Sequence, residues 1–566
     1  MNSLGLVLIA AIIYVLFYMT YGKALQNKVV KADPNRKTPA HRLYDGVDYV
    51  PAHPVVLYGH HFASIAGAGP IVGPALAMAW GWLPSILWVW FGNVFIGAVH
   101  DYLALMASVR YDGKSIQWVS GKLMSKRTGA LFEVYIWFTL LLVVAAFVAV
   151  VSKLLNSIPE AATATILFLL SAIIVGVLMY KVKVNFYVAS AIGVILVALS
   201  VFAGFKLPLS LSYHTWNIVM LVYIIIAASL PVWILLQPRD YLNAYVLWFG
   251  LIMGGIAFIG LAKGFEVPAY TAFTANVVAK QPSPFWPTVP LVIACGALSG
   301  FHSLVGSGTS SKQLDNELHG LLVGYGGMFT EGFLSTIVIT SIAVYGVQIT
   351  GVSVSEWASQ YIFSGGLGTF TTAYAYGLRD FFGIEETIGK VFATLWVSAF
   401  ALTSLDTATR LGRFAWQELF EMAVKDKESS AYKIITNKWL ASAVIALIGV
   451  AMAWQAGYKI LWPAFSGMNQ LLASIAMITA SVWVAKVQKA GKWSYAVLIP
   501  ALFLWITVTA GLIWYIAFIP NDVLGLTTAI VVKTILGIGL ILNFLLAYDF
   551  YVAWKKPAEA FEEVPA

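Results

Sequence analysis

Apolar runs of about 18 residues or more recur from one end of this 566-residue chain to the other. That feature constrains the fold class more than any other. A helix needs about 20 apolar residues to cross a bilayer, and no soluble fold could bury so many such segments. Charged residues make up only 11% of the chain, against about 25% in soluble domains. Alternating strands of the β-barrel type are absent from the pattern. The chain is therefore expected to be an all-α polytopic membrane protein.

Fifteen spans are expected, at approximately 3–22, 55–80, 83–107, 129–153, 161–180, 186–204, 217–236, 243–263, 290–309, 321–347, 388–409, 438–455, 459–485, 494–518 and 528–551. The interrupted apolar segment 355–383, with Gly365, Gly366 and Gly368, reads as a peripheral hairpin that does not span. No basic residue precedes the first apolar run, while Lys23, Lys28 and Lys31 follow it. It reads as a retained helix with its N-terminus outside, not as a secretory signal. With that orientation, 26 of the 34 Lys and Arg residues fall in inside loops and 7 in outside segments, as the positive-inside rule requires. The tail is then cytoplasmic. The net charge of +8 follows from these loops and is no sign of nucleic-acid binding.

One stretch does not look like an ordinary spanning helix. Gly59 to Pro74 reads GHHFASIAGAGPIVGP, with glycines and prolines where leucines are usual. Proline lacks an amide donor and clashes with the preceding turn, so the helix breaks near Gly67–Pro70. In lipid, the freed backbone must be satisfied by protein, ion or water. The pattern from Phe62 to Gly69 echoes as Phe301-x-Ser303-Leu304-Val305-Gly306-Ser307-Gly308. The loop charges run the first broken helix, 55–80, outward and the second, 290–309, inward. Related broken segments of opposite direction are the sequence sign of an inverted-repeat transporter.

The order of flanking elements resembles the LeuT-like five-plus-five fold. On that plan residues 1–54 are an extra helix and basic loop, 55–204 the first repeat, 205–289 an inserted helix pair, 290–485 the second repeat, and 486–566 a terminal pair with its tail. Each broken helix is followed by a straight helix carrying a carboxylate, Asp101 in one and Glu331 in the other.

Four longer motifs add a family resemblance. DGVDYVPAHPVVLYGHHFASIAGAGPIVGPALA, GAVHDYLALMASVRYDGKS, LPVWILLQPRDYLN and CGALSGFHSLVGSGTSSKQL resemble signatures of the carbon starvation protein A family, across roughly residues 40–315. The resemblance implies a bacterial or archaeal inner-membrane transporter of peptides or pyruvate, tied to nutrient limitation.

A helix interrupted at membrane depth leaves free carbonyls that favour a cation and free amides that favour an anion. A carboxylate-bearing substrate is therefore expected between the two breaks. The expected contacts are His61, Ser64, Gly67, Gly69 and Pro70 on one side, and Ser303, Gly306, Ser307, Gly308 and Thr309 on the other. Candidates for coupling to H+ are His60, Asp101, Glu331 and Asp406, because intramembrane ionisable groups are costly unless used. Asp101 could instead pair with Arg110, and Asp406 with Arg410. Thr403 and Ser404 could hold Na+, as hydroxyls of the equivalent helix do in LeuT-like transporters. His60, His61, His100 and Asp101 could be read as metal ligands, but they lack i, i+4 spacing, so no metal or cofactor is expected. Arg239, next to Asp240, reads as an interfacial latch after a helix broken at Pro231.

Cys295, the one cysteine, excludes an internal disulfide and is expected to pack as a small hydrophobe. No phosphate-binding loop and no soluble nucleotide domain occur, which excludes a primary pump. The expectation is a cation-coupled secondary transporter with a small-molecule or peptide substrate and the lipid bilayer as its partners. Nothing in the sequence specifies an oligomeric state. A channel, a starvation receptor and a membrane-embedded metal-dependent enzyme are the alternatives.

Overall fold

The computed structural model describes residues 1–46, 48–230 and 235–561. It is helical apart from a two-stranded antiparallel ribbon, Thr274–Asn276 paired with Pro282–Pro284. Among the described residues, twelve helices are long and apolar enough to span, and Pro54–Ile65 with Gly69–Trp80 adds a span bent by 49°.

Besides that bent pair, two of the fifteen expected spans are not continuous spanning helices. Tyr213–Ser229 has 17 residues, and Pro231, read as its break, lies outside the described residues. The expected span 290–309 is two short pieces, Phe285–Val292 and Gly300–Gly308. Segment 355–383 forms helices Trp357–Ser364 and Leu367–Phe382, of 8 and 16 residues, both too short to cross.

Three helices run through the interior. Lys126–Ser157, Glu386–Ala423 and Tyr458–Val487 each have 83% of their apolar window buried, against 22% for Tyr187–Lys206 and 28% for Ser3–Val30. The peripheral helices show their leucines and isoleucines to lipid, where exposure of apolar surface costs little. Ser125 caps the first interior helix by accepting the Thr128 amide at 3.2 Å, which satisfies one of the four free N–H groups at its start.

The two broken elements cross each other antiparallel. Pro54–Ile65 packs on Gly300–Gly308, and Gly69–Ala77 packs on Phe285–Val292. First half meets second half both ways. Below them, the Ala52 amide donates to Gln313 O at 3.0 Å, tying the start of one element to the end of the other.

The first break falls at Ala66–Ala68, as the sequence indicates. Pro70, in the first turn of the resumed helix, needs no amide partner there. The second break is upstream of its expected place. Residues 293–299 are non-helical, whereas Ser303, Gly306, Ser307 and Gly308 lie in regular helix and Thr309 caps it. The two breaks therefore sit in a different register from the sequence echo. A Cβ at Gly306 would meet the Leu105 backbone at 3.7 Å, an ordinary contact.

The second break holds because the interior helix Tyr458–Val482 supplies the missing hydrogen bonds. Trp462 Nε1 donates to Val292 O at 3.0 Å and Gln470 Nε2 to Ile293 O at 3.1 Å. Gln470 also reaches Pro290 O, and Ser466 Oγ reaches Val292 O at 3.4 Å. On the resumed side, Asn469 Oδ1 accepts the Phe301 amide at 2.9 Å. Backbone groups freed at membrane depth thus find partners inside the protein.

Candidate functional site

The breaks meet face to face, and glycine makes the approach possible. A Cβ on Gly69 would overlap the Cys295 side chain. A Cβ on Gly296 would overlap Ser335 Oγ and lie 3.5 Å from Pro70 Cα. Ser335 Oγ donates to Pro70 O at 2.7 Å, so a straight helix holds the first break as well. On the other side, Gly67 lies against the Ser404 hydroxyl of Glu386–Ala423. The surfaces that face each other are 66–70 and 293–299.

Beside the second break is a buried set of ionisable groups. Asp101 accepts from His100 Nδ1 at 2.7 Å and from His302 Nδ1 at 2.8 Å. The far nitrogen of the second ring, His302 Nε2, is 3.5 Å from Glu331 Oε2. All four side chains are fully buried. His302 thus joins Asp101 to Glu331. Arg110, the alternative partner of Asp101, instead donates to Glu317 at 2.7 and 2.9 Å.

A second charged group lies on the other face of the first break. Arg239 is fully buried. It stands in the first turns of helix Leu236–Leu261 and pairs with both Asp240 and Asp406. Tyr223 Oη donates to Asp406 Oδ2 at 3.0 Å. Arg410, expected beside Asp406, donates to the carbonyls of Ala227 and Leu230 at 2.8 and 2.7 Å. The i, i+4 expectation fails because a fully buried Asp406 binds the guanidinium that reaches it from another helix.

The expected substrate residues divide accordingly. Gly67, Gly69 and Pro70 line the approach of the two breaks. His61 is buried one turn below and shares a 2.7 Å hydrogen bond with Ser310 Oγ. Ser64 Oγ is turned back to His60 O at 2.8 Å, and His60 is half-buried. Ser303 and Ser307 spend their hydroxyls on Gly300 O and Ser303 O, both at 2.6 Å. Ser307 Oγ also accepts the Ile116 amide at 3.1 Å, and so anchors the short helix Ile116–Leu123. Gly308 has open space around it. Ser303, Gly306, Ser307, Gly308 and Thr309 are therefore not part of the second break. Thr403 Oγ1 donates to Ala399 O at 3.0 Å and accepts from Asn243 Nδ2 at 3.2 Å.

The residues outside the sequence-based expectations are Trp462, Ser466, Asn469 and Gln470. Their signal was present. Positions 462, 466, 469 and 470 put polar groups on one face of an otherwise apolar helix, where each needs a partner. Among the described residues, the donor group compact enough for a metal ion is Cys295, His302 and Glu331, with ligand atoms within 4.8 Å of one another. Of the four residues first read as metal ligands, none belongs to it.

Comparison with known proteins places these features in a family. The family model described as carbon starvation protein CstA matches residues 2–510. The chain is 33% identical to a Campylobacter jejuni protein named peptide transporter CstA, with 90% of this chain and 80% of that protein covered. A Bacillus subtilis protein of the same name is 31% identical over 99% of this chain and 98% of its own. An Escherichia coli protein named pyruvate/proton symporter BtsT is 29% identical over 90% of this chain and 81% of its own. Among solved structures, an Eremococcus coleocola manganese transporter mutant aligns at 11% identity and a TM-score of 0.44, covering 90% of this chain and 98% of its own. The family model spans both broken elements and the polar helix that holds the second. On that match, this multi-pass membrane protein belongs to the carbon starvation protein CstA family.

Proposed function

We propose that the protein is a secondary active transporter of the cytoplasmic membrane that imports a small carboxylate-bearing nutrient, a peptide or pyruvate, by alternating access around the two breaks. One observation carries the reading: two antiparallel broken elements meet through Gly69 and Gly296 with their interrupted backbones facing each other. The helix ends at the first break, 66–68, present amide and carbonyl dipoles that suit an anion and a cation together. The names of the relatives supply both candidate substrates. On this reading the chain is LeuT-like, with repeats at 55–204 and 290–485, the pair in 205–289 inserted between them, and the N-terminus outside.

The coupling ion in the first reading is H+, in keeping with the relative named a proton symporter. His60, Asp101, Glu331 and Asp406 are its candidate carriers. Na+ is the second reading, because the Ser404 hydroxyl lies directly against the first break at Gly67.

Proteoliposome uptake tests the proposal. Pyruvate and di- and tripeptides are offered under an imposed pH gradient without Na+, and then under a Na+ gradient at uniform pH. Saturable uptake with counterflow of at least one substrate is expected, driven by one gradient and not the other. Gly69→Leu and Gly296→Leu should abolish it while the protein remains in the membrane. Flux without counterflow would make the protein a channel and refute the reading.

A further inference from the structure

We propose that Cys295, His302 and Glu331 form a binding site for a divalent transition metal of the zinc class. The inference goes beyond transport and does not depend on it.

The three residues come from three different elements: the non-helical break 293–299, the resumed helix Gly300–Gly308 and the straight helix Gly327–Thr350. They offer a sulfur, an imidazole nitrogen and a carboxylate, all within 4.8 Å. Zinc takes this mixture, with bonds of about 2.3 Å to sulfur and about 2.0–2.1 Å to nitrogen and oxygen. Ligand atoms around a tetrahedral ion of that size stand roughly 3.5 Å apart, so the group needs to contract by about an ångström. Cys295, on the irregular segment, is the ligand free to make that adjustment.

Their hydrogen bonding points the same way. His302 Nε2, Glu331 Oε1 and Glu331 Oε2 are buried without a hydrogen-bond partner. Asn469 Nδ2 stands 4.0 Å from the Cys295 sulfur, a long contact. Asp101 accepts from His302 Nδ1 at 2.8 Å, which puts the ring proton there and leaves the Nε2 lone pair facing Glu331. A carboxylate behind a histidine in this manner is the arrangement that orients and strengthens a metal-bound imidazole. Nε2 and Oε2 stand 3.5 Å apart, and neither has a hydrogen-bond partner. A cation between them relieves that contact. A thiolate as third donor selects a borderline or soft ion over Mg2+ or Ca2+. An ion held there would tie the second break to its neighbours and fix the site in one state.

Metal binding to the purified full-length protein tests the proposal. The probes are Zn2+ by calorimetry and Co2+ by absorbance, both after chelator treatment and removal of any affinity tag. One Zn2+ per chain is expected, and Co2+ should give the near-ultraviolet charge-transfer band of a thiolate ligand. Cys295→Ser, a one-atom change, should lose the band and weaken Zn2+ binding at least tenfold. Glu331→Gln, of equal size, should weaken it tenfold or more while keeping the band at saturating Co2+. Thermal midpoints of the metal-free variants report on folding. Zn2+ should raise the midpoint of the parent protein and leave that of Cys295→Ser unmoved. Absence of the charge-transfer band, or equal Zn2+ affinity in the parent and a folded Cys295→Ser, would overturn the assignment. Because these readouts need no flux, failure here and failure of the transport reading are separable.

Discussion

Gly67→Ala is the most informative single change in the first break. The Gly67 backbone does not have a positive φ, so alanine is conformationally acceptable and any cost is steric. The new Cβ would overlap Ser404 Oγ, stand 3.1 Å from Ser404 Cβ, and touch Phe147 Cε1 at 3.4 Å. Overpacking of a tight interior costs about 1–3 kcal/mol. The hydroxyl accounts for most of it, since 3.1 Å between carbons is tight but 3.4 Å is ordinary contact. Ser404→Gly removes both the hydroxyl and Cβ at an intrinsic cost of about 1 kcal/mol within a helix. In the double variant the two losses should not add, with a coupling of about 1–2 kcal/mol in favour of the pair. The assay is equilibrium unfolding by SDS in mixed micelles, run for the parent, both single variants and the double. Counterflow should fall in Gly67→Ala and recover in part in the double variant. A Gly67→Ala protein as stable and active as the parent would refute the reasoning, as would strict additivity.

Further outcomes follow from the polar interior. Removing one partner of a buried ion pair costs about 3–5 kcal/mol. Asp406→Asn leaves Arg239 its bonds to Asp240 at 2.6 and 3.2 Å, whereas Arg239→Met strips Asp406 of its guanidinium; unfolding should therefore place Arg239→Met as the more destabilised of the two. Asn469→Ala leaves the Phe301 amide without its partner at the second break. It should cost about 1–3 kcal/mol, read by the same titration, with uptake reduced more than by Ser474→Ala about one turn further along the helix. Glu317, buried and bonded to Arg110 and to the Asp33 amide at 2.9 Å, joins the N-terminal segment to helix Ala98–Arg110; Glu317→Gln should lower the thermal midpoint and speed proteolysis of the 31–38 segment.

Much of this architecture can be read from residues because lipid enforces simple rules. Span length, loop charge and the proline-glycine break at Gly67–Pro70 each carry their own physical signature. The second break does not. Its residues 293–299 hold one glycine and no proline, so nothing local marks them, and the glycines at 306 and 308 are a stronger signal for a break that is not there. What opens the chain at 293–299 is a neighbour 170 residues away, through Trp462, Ser466, Asn469 and Gln470. The charge pairs were misread for the same reason. Asp406 and Asp101 each sit near an arginine along the sequence, yet their partners Arg239 and His302 come from other helices. Spacing within one helix reports neighbours on that helix and says nothing of which face another helix brings.

The polar face of Tyr458–Val482 also limits how the molecule can move. At least five side-chain bonds join that helix to the second broken element. At about 0.5–1.5 kcal/mol each, sliding one past the other would forfeit roughly 2.5–7.5 kcal/mol at once. The two therefore travel as one rigid body. Any rocking that opens the facing surfaces of the two breaks to one side must place its seam elsewhere, where small side chains meet without hydrogen bonds across the gap. The Gly67–Ser404 contact is such a place: it is closely apposed and not bonded, so it can part and close again at little cost.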